Sequence, residues 1–277
     1  MRLNRRRLLA LCLALSATGA VAWVVHGAYS GDAGSPSAAL RCLGVRCTGD
    51  VVACLRDEEC KAWLGCMQEC GDDKMKCPTF CGAFYQSPRA NAFTQCALTH
   101  QCIQLDFASL PACGAPDAPA VPLENADGTW WVAGIKGPDY VLFDDCQRFV
   151  LQTLSPTEVR AQNSVPLTRG GQTRICKNEG KYTRTDGGVM QLVYENYAGY
   201  HERWHFTHRF ENSMLAYVCS ASSSERSHDY GAFVLSRVPL AELGIEERTA
   251  LESGLREVYH LEPGAVTPLR VVGCPNP

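Results

Sequence analysis

From about residue 128 onward, apolar and polar side chains alternate in short runs broken by Gly, Pro, Asn or Asp, the period-two pattern of half-buried strands. The runs fall at 129–135, 145–154, 158–167, 172–178, 189–197, 202–209, 213–221 and 231–238. Eight short strands at this spacing predict a sandwich or an up-and-down barrel. The period then changes: residues 240–259 set Leu243, Ile245, Leu251, Leu255 and Tyr259 along one side of an amphipathic helix.

Before residue 113 the cysteines are spaced for helices. Cys66 and Cys70, and likewise Cys77 and Cys81, lie one helical turn apart. Two helices folded back across residues 71–76 nest these thiols as Cys66 with Cys81 and Cys70 with Cys77. The same reasoning predicts Cys42 with Cys60 and Cys47 with Cys54, while Cys96 and Cys102 close a short local loop. Cys274 is placed to tie the tail to Cys146. A further Cys176 to Cys219 bridge would leave Cys113 as the odd thiol. The rival use of such clusters is zinc, but the spacings lack two-residue knuckles.

The cysteine distribution also marks the domains. Of 16 cysteines, eleven fall between Cys42 and Cys113 and only four in the remaining 164 residues. Two segments poor in core-forming residues flank the first module: 27–40, small and polar, and 114–124, rich in proline. The expected organisation is a targeting segment (1–26), a linker (27–40), a cysteine-rich helical domain (41–113), a Pro-rich linker (114–124) and a strand-rich domain with its C-terminal helix (125–277).

The N-terminus carries Arg2, Arg5, Arg6 and Arg7, then an apolar run from Leu8 to Val25 with small residues at Ala20 and Ala22. This reads as an export signal, with an uncleaved anchor as the alternative. Delivery across a membrane fits the heavy use of cysteine. Without residues 1–22, 22 basic side chains face 29 acidic ones, a charge of about −7. No basic stripe is present, which argues against nucleic acid as a partner.

Gly128-Thr-Trp130 opens the first strand in the Gly-x-Trp form with which lipocalin barrels begin, and Arg237 ends the last strand where lipocalins stack an arginine on that tryptophan. Together with the cysteine ladder from Cys42 to Cys102, Phe143-Asp-Asp-Cys-Gln147, Asp229-Tyr-Gly231 and Cys274, this order of motifs resembles the violaxanthin de-epoxidase family over roughly residues 40–277. The expected fold is mainly β: an eight-stranded antiparallel lipocalin-like barrel with a C-terminal helix, preceded by a small disulfide-rich α-helical module.

The resemblance implies an oxidoreductase of the plastid thylakoid lumen that removes epoxide oxygens from a xanthophyll, with ascorbate as co-substrate and no metal. It also implies contact with the thylakoid lipid surface and a pH-dependent homodimer. The chemistry requires a general acid, and a carboxyl group inside an apolar barrel is suited to supply a proton at mildly acidic pH. The family has an acidic pair before a tryptophan at the barrel mouth. Here the stretch reads Tyr200-His-Glu-Arg-Trp204, so the expected acid position holds Arg203, with Glu202 beside it. Family members also have histidines after Asp-Cys-Gln, and Arg148–Gln152 contains none. These departures favour a de-epoxidase-like paralogue. They keep open a redox-neutral xanthophyll epoxide isomerase, and a non-catalytic carrier of an apolar ligand.

The expected catalytic residues are Asp145, Glu202 and Tyr217. The expected substrate-binding residues are Trp131, Gln147, Tyr200, Trp204 and Tyr230. Each has a plainer alternative. Asp145 suits a turn or cap, with Asp144 on the solvent side. Glu202 suits a surface pair with Arg203 or Arg209, and the tyrosines suit barrel lining. By alternation His201 and His205 share one face of their strand and His208 takes the other, a pattern suited to pH sensing more than to metal.

Overall fold

The computed structural model describes residues 36–70, 76–102, 118–137, 145–185, 188–195, 201–221 and 227–275. The chain divides into two compact units, Met1–Asp106 and Phe107–Pro277.

Among the described residues the first unit holds five helices: α1 (Pro36–Arg46), α2 (Thr48–Arg56), α3 (Glu58–Glu69), α4 (Lys76–Tyr85) and α5 (Pro88–Thr99). Helix α1 starts inside the span expected to be linker. Asp57 caps α3 by accepting from the Cys60 amide at 2.7 Å, and Ser87 caps α5 by accepting from the Ala90 amide at 3.2 Å. The Ser87 hydroxyl also donates to Asp57 Oδ1 at 3.3 Å, so the two caps, each worth ~1 kcal/mol, are coupled. The apolar core is small, centred on Leu43, Trp63, Leu64 and Phe93, and cross-links supply what it lacks.

Cys66–Cys81 and Cys70–Cys77 form as the helix spacing predicts. Three other pairings differ from expectation. Cys42 bonds Cys102, Cys47 bonds Cys96 and Cys54 bonds Cys60, in place of Cys42–Cys60, Cys47–Cys54 and Cys96–Cys102. The reason is tertiary. Helix α5 lies against α2, which brings Cys96 and Cys102 beside Cys47 and Cys42 in a second antiparallel nest, while the α2–α3 turn joins Cys54 to Cys60. The tight group Cys70, Cys77 and Cys81 has its sulfurs in disulfides, which excludes zinc there.

The second unit is a closed antiparallel barrel of eight strands: β1 (Gly128–Lys136), β2 (Arg148–Ser155), β3 (Glu158–Arg169), β4 (Gln172–Arg184), β5 (Met190–Tyr194), β6 (His201–Arg209), β7 (Ser213–Ala221) and β8 (Ser227–Ser236). Each strand pairs with the next. β1 closes the ring by pairing with β2 through Trp130↔Phe149 and with β8 through Trp131↔Ser236. A two-residue β9 (Thr267–Pro268) adds to β1. Gly128 has φ +110°, and a Cβ there would sit 2.7 Å from Arg237 Nη1, so glycine at the barrel entry is required by both backbone and neighbour. Gly231 has φ +93°, and its Cβ would lie 1.9 Å from the Lys136 carbonyl oxygen across the β1–β8 pairing.

One end of the barrel is closed by the segment before β1. The Val121 amide donates to the Phe206 carbonyl at 2.7 Å, and Leu123 and Ala126 are buried in the barrel core. The end of the expected Pro-rich linker is therefore part of the barrel. Helix α6 (Ile245–Tyr259) follows a short 3₁₀ turn at Leu240–Glu242, so the predicted single helix is interrupted at Leu243-Gly244. α6 covers the outside of β6–β8 with Leu251, Leu255 and Tyr259 on Leu215, Ala232 and Val234. Cys146–Cys274 ties the tail to the start of β2 as expected. Cys176 is a buried free thiol, whereas Cys219 is disulfide-bonded. The Cys176–Cys219 bridge does not form, and Cys113 lies outside the described residues.

Candidate functional site

Strand alternation sorts the barrel interior into layers. Trp130, Phe149, Tyr182, Trp204, Phe206 and Phe233 point inward, each less than 2 % exposed, and form an aromatic plug. Trp204 is its hub: its ring lies 5.4 Å from Phe149, 5.8 Å from Tyr182, 5.7 Å from Phe206 and 5.4 Å from Phe233. Toward the closed end, Trp130 donates from Nε1 to the Ala126 carbonyl at 2.7 Å, and the Arg237 guanidinium stacks 4.1 Å above its ring. A hollow of about 390 Å³ between Arg209, Phe210 and Arg237 lies at this end, beyond the plug.

On the other side of the plug the interior becomes polar. Phe149 and Trp204 touch, so the residues two positions further along their strands, Gln147 and Glu202, occupy the next layer on opposite walls. Glu202 is 7 % exposed. Trp204 Nε1 donates to its Oε2 at 2.8 Å, and the Tyr194 hydroxyl donates to the same oxygen at 3.1 Å. Both donors converge on Oε2 and fix the orientation of the carboxyl group. The carboxylate is felt beyond its own bonds, since burial first and the Glu202 charge second hold the Tyr182 hydroxyl well above the usual phenol range. On the facing wall Gln147 donates from Nε2 to Asn163 Oδ1 at 3.4 Å, and Asn163 is the register partner of Asn178. Burial pushes the Cys176 thiol up to about 11, so it is neutral and a poor nucleophile.

The expected site residues divide in a simple way. Glu202, Trp204 and Gln147 all face the barrel interior on this side, Glu202 bonded to Trp204 and Gln147 on the facing wall. Glu202 lies inside and not on the surface: Arg203 points outward, and Arg209 binds the carbonyls of Pro122, Glu124 and Asn125. Asp145 is elsewhere. Its carboxylate accepts from the Arg270 amide at 2.8 Å and pairs with that arginine's Nε at 3.4 Å, a tie to the tail beside Cys146–Cys274. Trp131 alternates outward from Trp130 and lies under the Arg148 guanidinium at 5.6 Å. Tyr217 also faces out, stacked on Tyr259 of α6 at 5.7 Å. Tyr200 and Asp144 lie outside the described residues, as does the side chain of Tyr230 in β8.

His201 and His205 share the outer face of β6. His208 does not take the opposite face, because a bulge between Phe206 and His208 turns it outward as well. It packs under Gly254 of α6, bonded through Nδ1 to Thr207 Oγ1 at 3.1 Å, and Thr207 Oγ1 in turn meets Tyr259 Oη at 2.6 Å. Burial lowers the pKa of His208, and the nearby Glu257 charge opposes that shift. Tyr194, Asn163 and Asn178 were not expected in the site. Period two along β3 would have found Asn163, whereas Tyr194 needed the β5–β6 pairing.

The VDE lipocalin domain family matches residues 39–252, most of the chain. The chain belongs to that family. Among curated relatives it is 24 % identical over 229 residues to a violaxanthin de-epoxidase of Arabidopsis thaliana, covering 78 % of this chain and 48 % of that one. It is 25 % identical over 214 residues to the Nicotiana tabacum protein of the same name, covering 71 % and 43 %. The chain thus spans about half the length of these relatives. Solved structures similar to the barrel include lobster apocrustacyanin A1 (15 % identity, TM-score 0.41, covering 56 % of this chain and 89 % of that one) and an odorant-binding protein, OBP1 (12 %, TM-score 0.42, covering 57 % and 99 %). In this member of the VDE lipocalin family, the inward acid two residues before the tryptophan is Glu202. The sequence comparison had pointed to Arg203, which lies on the outer face.

Proposed function

We propose that the chain is a de-epoxidase-type oxidoreductase that accepts an epoxidised xanthophyll end group at the polar end of the barrel interior and uses Glu202 as its general acid. The observation that carries this reading is the carboxyl group itself: buried, inward, and held through Oε2 by Trp204 and Tyr194. An epoxide oxygen is a poor leaving group until protonated, and a fixed acid in a water-poor site serves that step. Proton transfer from the Glu202 carboxyl accompanies cleavage of one C–O bond. Ascorbate then supplies two electrons and the second proton, the second C–O bond breaks, and the oxygen leaves as water while the ascorbate monoanion becomes dehydroascorbate and the Glu202 carboxylate is reprotonated from solvent. The alkene forms where the epoxide stood. Tyr182, held protonated beneath Glu202, does not compete for the transferred proton. Placement in a plastid, as for the chloroplastic relatives, and export by residues 1–26 are part of the same proposal.

The test is to incubate purified protein with violaxanthin at mildly acidic pH, with and without ascorbate, and to separate the pigments. Ascorbate-dependent zeaxanthin that is lost in Glu202→Gln is the expected result. An ascorbate-independent isomer would replace reduction by a redox-neutral rearrangement at the same acid. Pigment that binds and returns unchanged at every pH would make the barrel a carrier.

A further inference from the structure

The hollow at the closed end has a chemistry of its own. Three stretches distant in sequence line it: the strap before β1, the β6–β7 turn and the end of β8. Its volume of about 390 Å³ falls in the ~300–1,000 Å³ range of small-molecule sites. Two guanidinium groups line it, and their printed partners are neutral carbonyls. Arg209 binds those of Pro122, Glu124 and Asn125, and Arg237 binds that of Asp127. Carbonyls fix the place of a guanidinium without cancelling its charge. Among the described residues neither arginine has a carboxylate within ion-pair distance, and Arg237 keeps Nε and Nη1 without an acceptor. Two like charges fixed on one hollow are stabilised by an anion placed between them.

The other polar groups narrow the choice of anion. The side chains of Asn125 and Asn212 line the hollow and make no hydrogen bond among the described residues, so each offers an amide donor and an acceptor. Glu211 lines it from the exposed turn and offers a charged acceptor. Asp127, whose charge Arg237 also feels, is outside the lining, with Oδ1 on the Thr153 amide at 2.7 Å. A bare anion is repelled by Glu211, whereas an anion that also carries hydroxyl groups can donate to it.

We infer that this hollow is a second binding site, for a small hydroxylated monoanion of the sugar-acid class. Its carboxylate lies on Arg209 and Arg237, and its hydroxyls meet Asn125, Asn212 and Glu211. The planar guanidinium fork suits a carboxylate, and Glu211 penalises a doubly charged ion more than a singly charged one. Trp130, under Arg237, and the rest of the aromatic plug separate the hollow from Glu202, so a molecule held here does not meet the acid. The assignment is therefore independent of the reaction proposed at Glu202.

The test is isothermal titration of the full chain at low ionic strength with four probes: gluconate, acetate, glucose and inorganic phosphate. The wild-type protein is expected to bind gluconate about tenfold or more tightly than acetate or phosphate and to give no saturable heat with glucose. Asn125→Gly removes one amide at a position whose φ of +60° glycine adopts freely, and is expected to lower the gluconate-to-acetate ratio severalfold. Glu211→Gln is expected to lower the same ratio while tightening acetate, because a like charge is gone. Arg209→Gln is expected to weaken gluconate and acetate together by about tenfold or more. The ratio separates a binding role from a structural one, since loss of folded protein reduces the heat from every probe alike. Equal affinity for gluconate and acetate, phosphate bound more tightly than gluconate, or no saturable heat from gluconate overturns the assignment. Gluconate affinity unchanged in both Arg209→Gln and Glu211→Gln overturns it as well. None of these outcomes bears on the acid at Glu202.

Discussion

Removing the Cys42–Cys102 bridge tests the architecture of the helical unit, because its cost and its chemistry both depend on which cysteine is the partner. The bridge spans 60 residues, and taken alone a loop of that length restricts the unfolded chain by ~4.3 kcal/mol in the chain-entropy description. It is nested, however, around Cys47–Cys96. With that inner bridge intact, Cys42–Cys102 closes only the two arms of roughly five and six residues between the bridges, which lowers its contribution to ~2.8 kcal/mol. Cys42→Ala/Cys102→Ala is therefore expected to lose about 3 kcal/mol in urea unfolding followed by helical ellipticity. The thiol count in denaturant decides the connectivity. The double variant of a true pair exposes no additional thiol, whereas Cys42→Ala/Cys60→Ala strands Cys102 and Cys54 and adds two. Two extra thiols in the first variant and none in the second would refute the nested pairing of α1–α2 with α5.

Arg237→Met keeps the aliphatic stem but removes the guanidinium stacked on Trp130 and its 2.6 Å bond to the Asp127 carbonyl. A loss of ~1–2 kcal/mol, read as a melting temperature lower by several degrees, is expected, and an unchanged melt would show that the stack does not hold the closed end. For His208 the sign follows from its depressed folded pKa: both states are neutral above the unfolded value near 6.5, and below it the unfolded chain binds the proton more readily. Stability is then complete at higher pH and declines as pH falls through 6.5 toward the folded pKa. His208→Gln should flatten that part of the urea-midpoint profile, and an identical slope in the variant would show that other groups set it.

The strands were legible because a barrel wall with a packed inside and a mostly polar outside writes itself as period two, and the turn residues fixed most boundaries. The acid was legible only in part. Alternation from the plug residue Trp204 turns Glu202 inward and Arg203 outward, whereas family spacing alone points to position 203. Trp131 and Tyr217 were misplaced for the same reason: being aromatic and near a motif does not say which face a residue takes. Asp145 could not be read at all, since its partner Arg270 is 125 residues away in sequence. The disulfides divide along the same line. Pairs within a local helix hairpin follow from spacing, and pairs that depend on where α5 packs do not.

The bulge in β6 links two closures that look unrelated. Before it, even-numbered residues face the interior; after it, His208 pairs with the outward Leu215 and Arg209 with the inward Met214. One supernumerary residue, Thr207, thus sends the imidazole to the seat of α6 and the guanidinium to the carbonyls of the strap across the barrel end. Were Thr207 drawn into the regular ladder in place of the bulge, opposite Leu215, their destinations would be exchanged, putting a histidine inside the barrel and leaving the strap without its clasp. The helix on the wall and the strap at the base are therefore set by a single count along one strand, so an alignment without a gap there would assign both side chains to the wrong side.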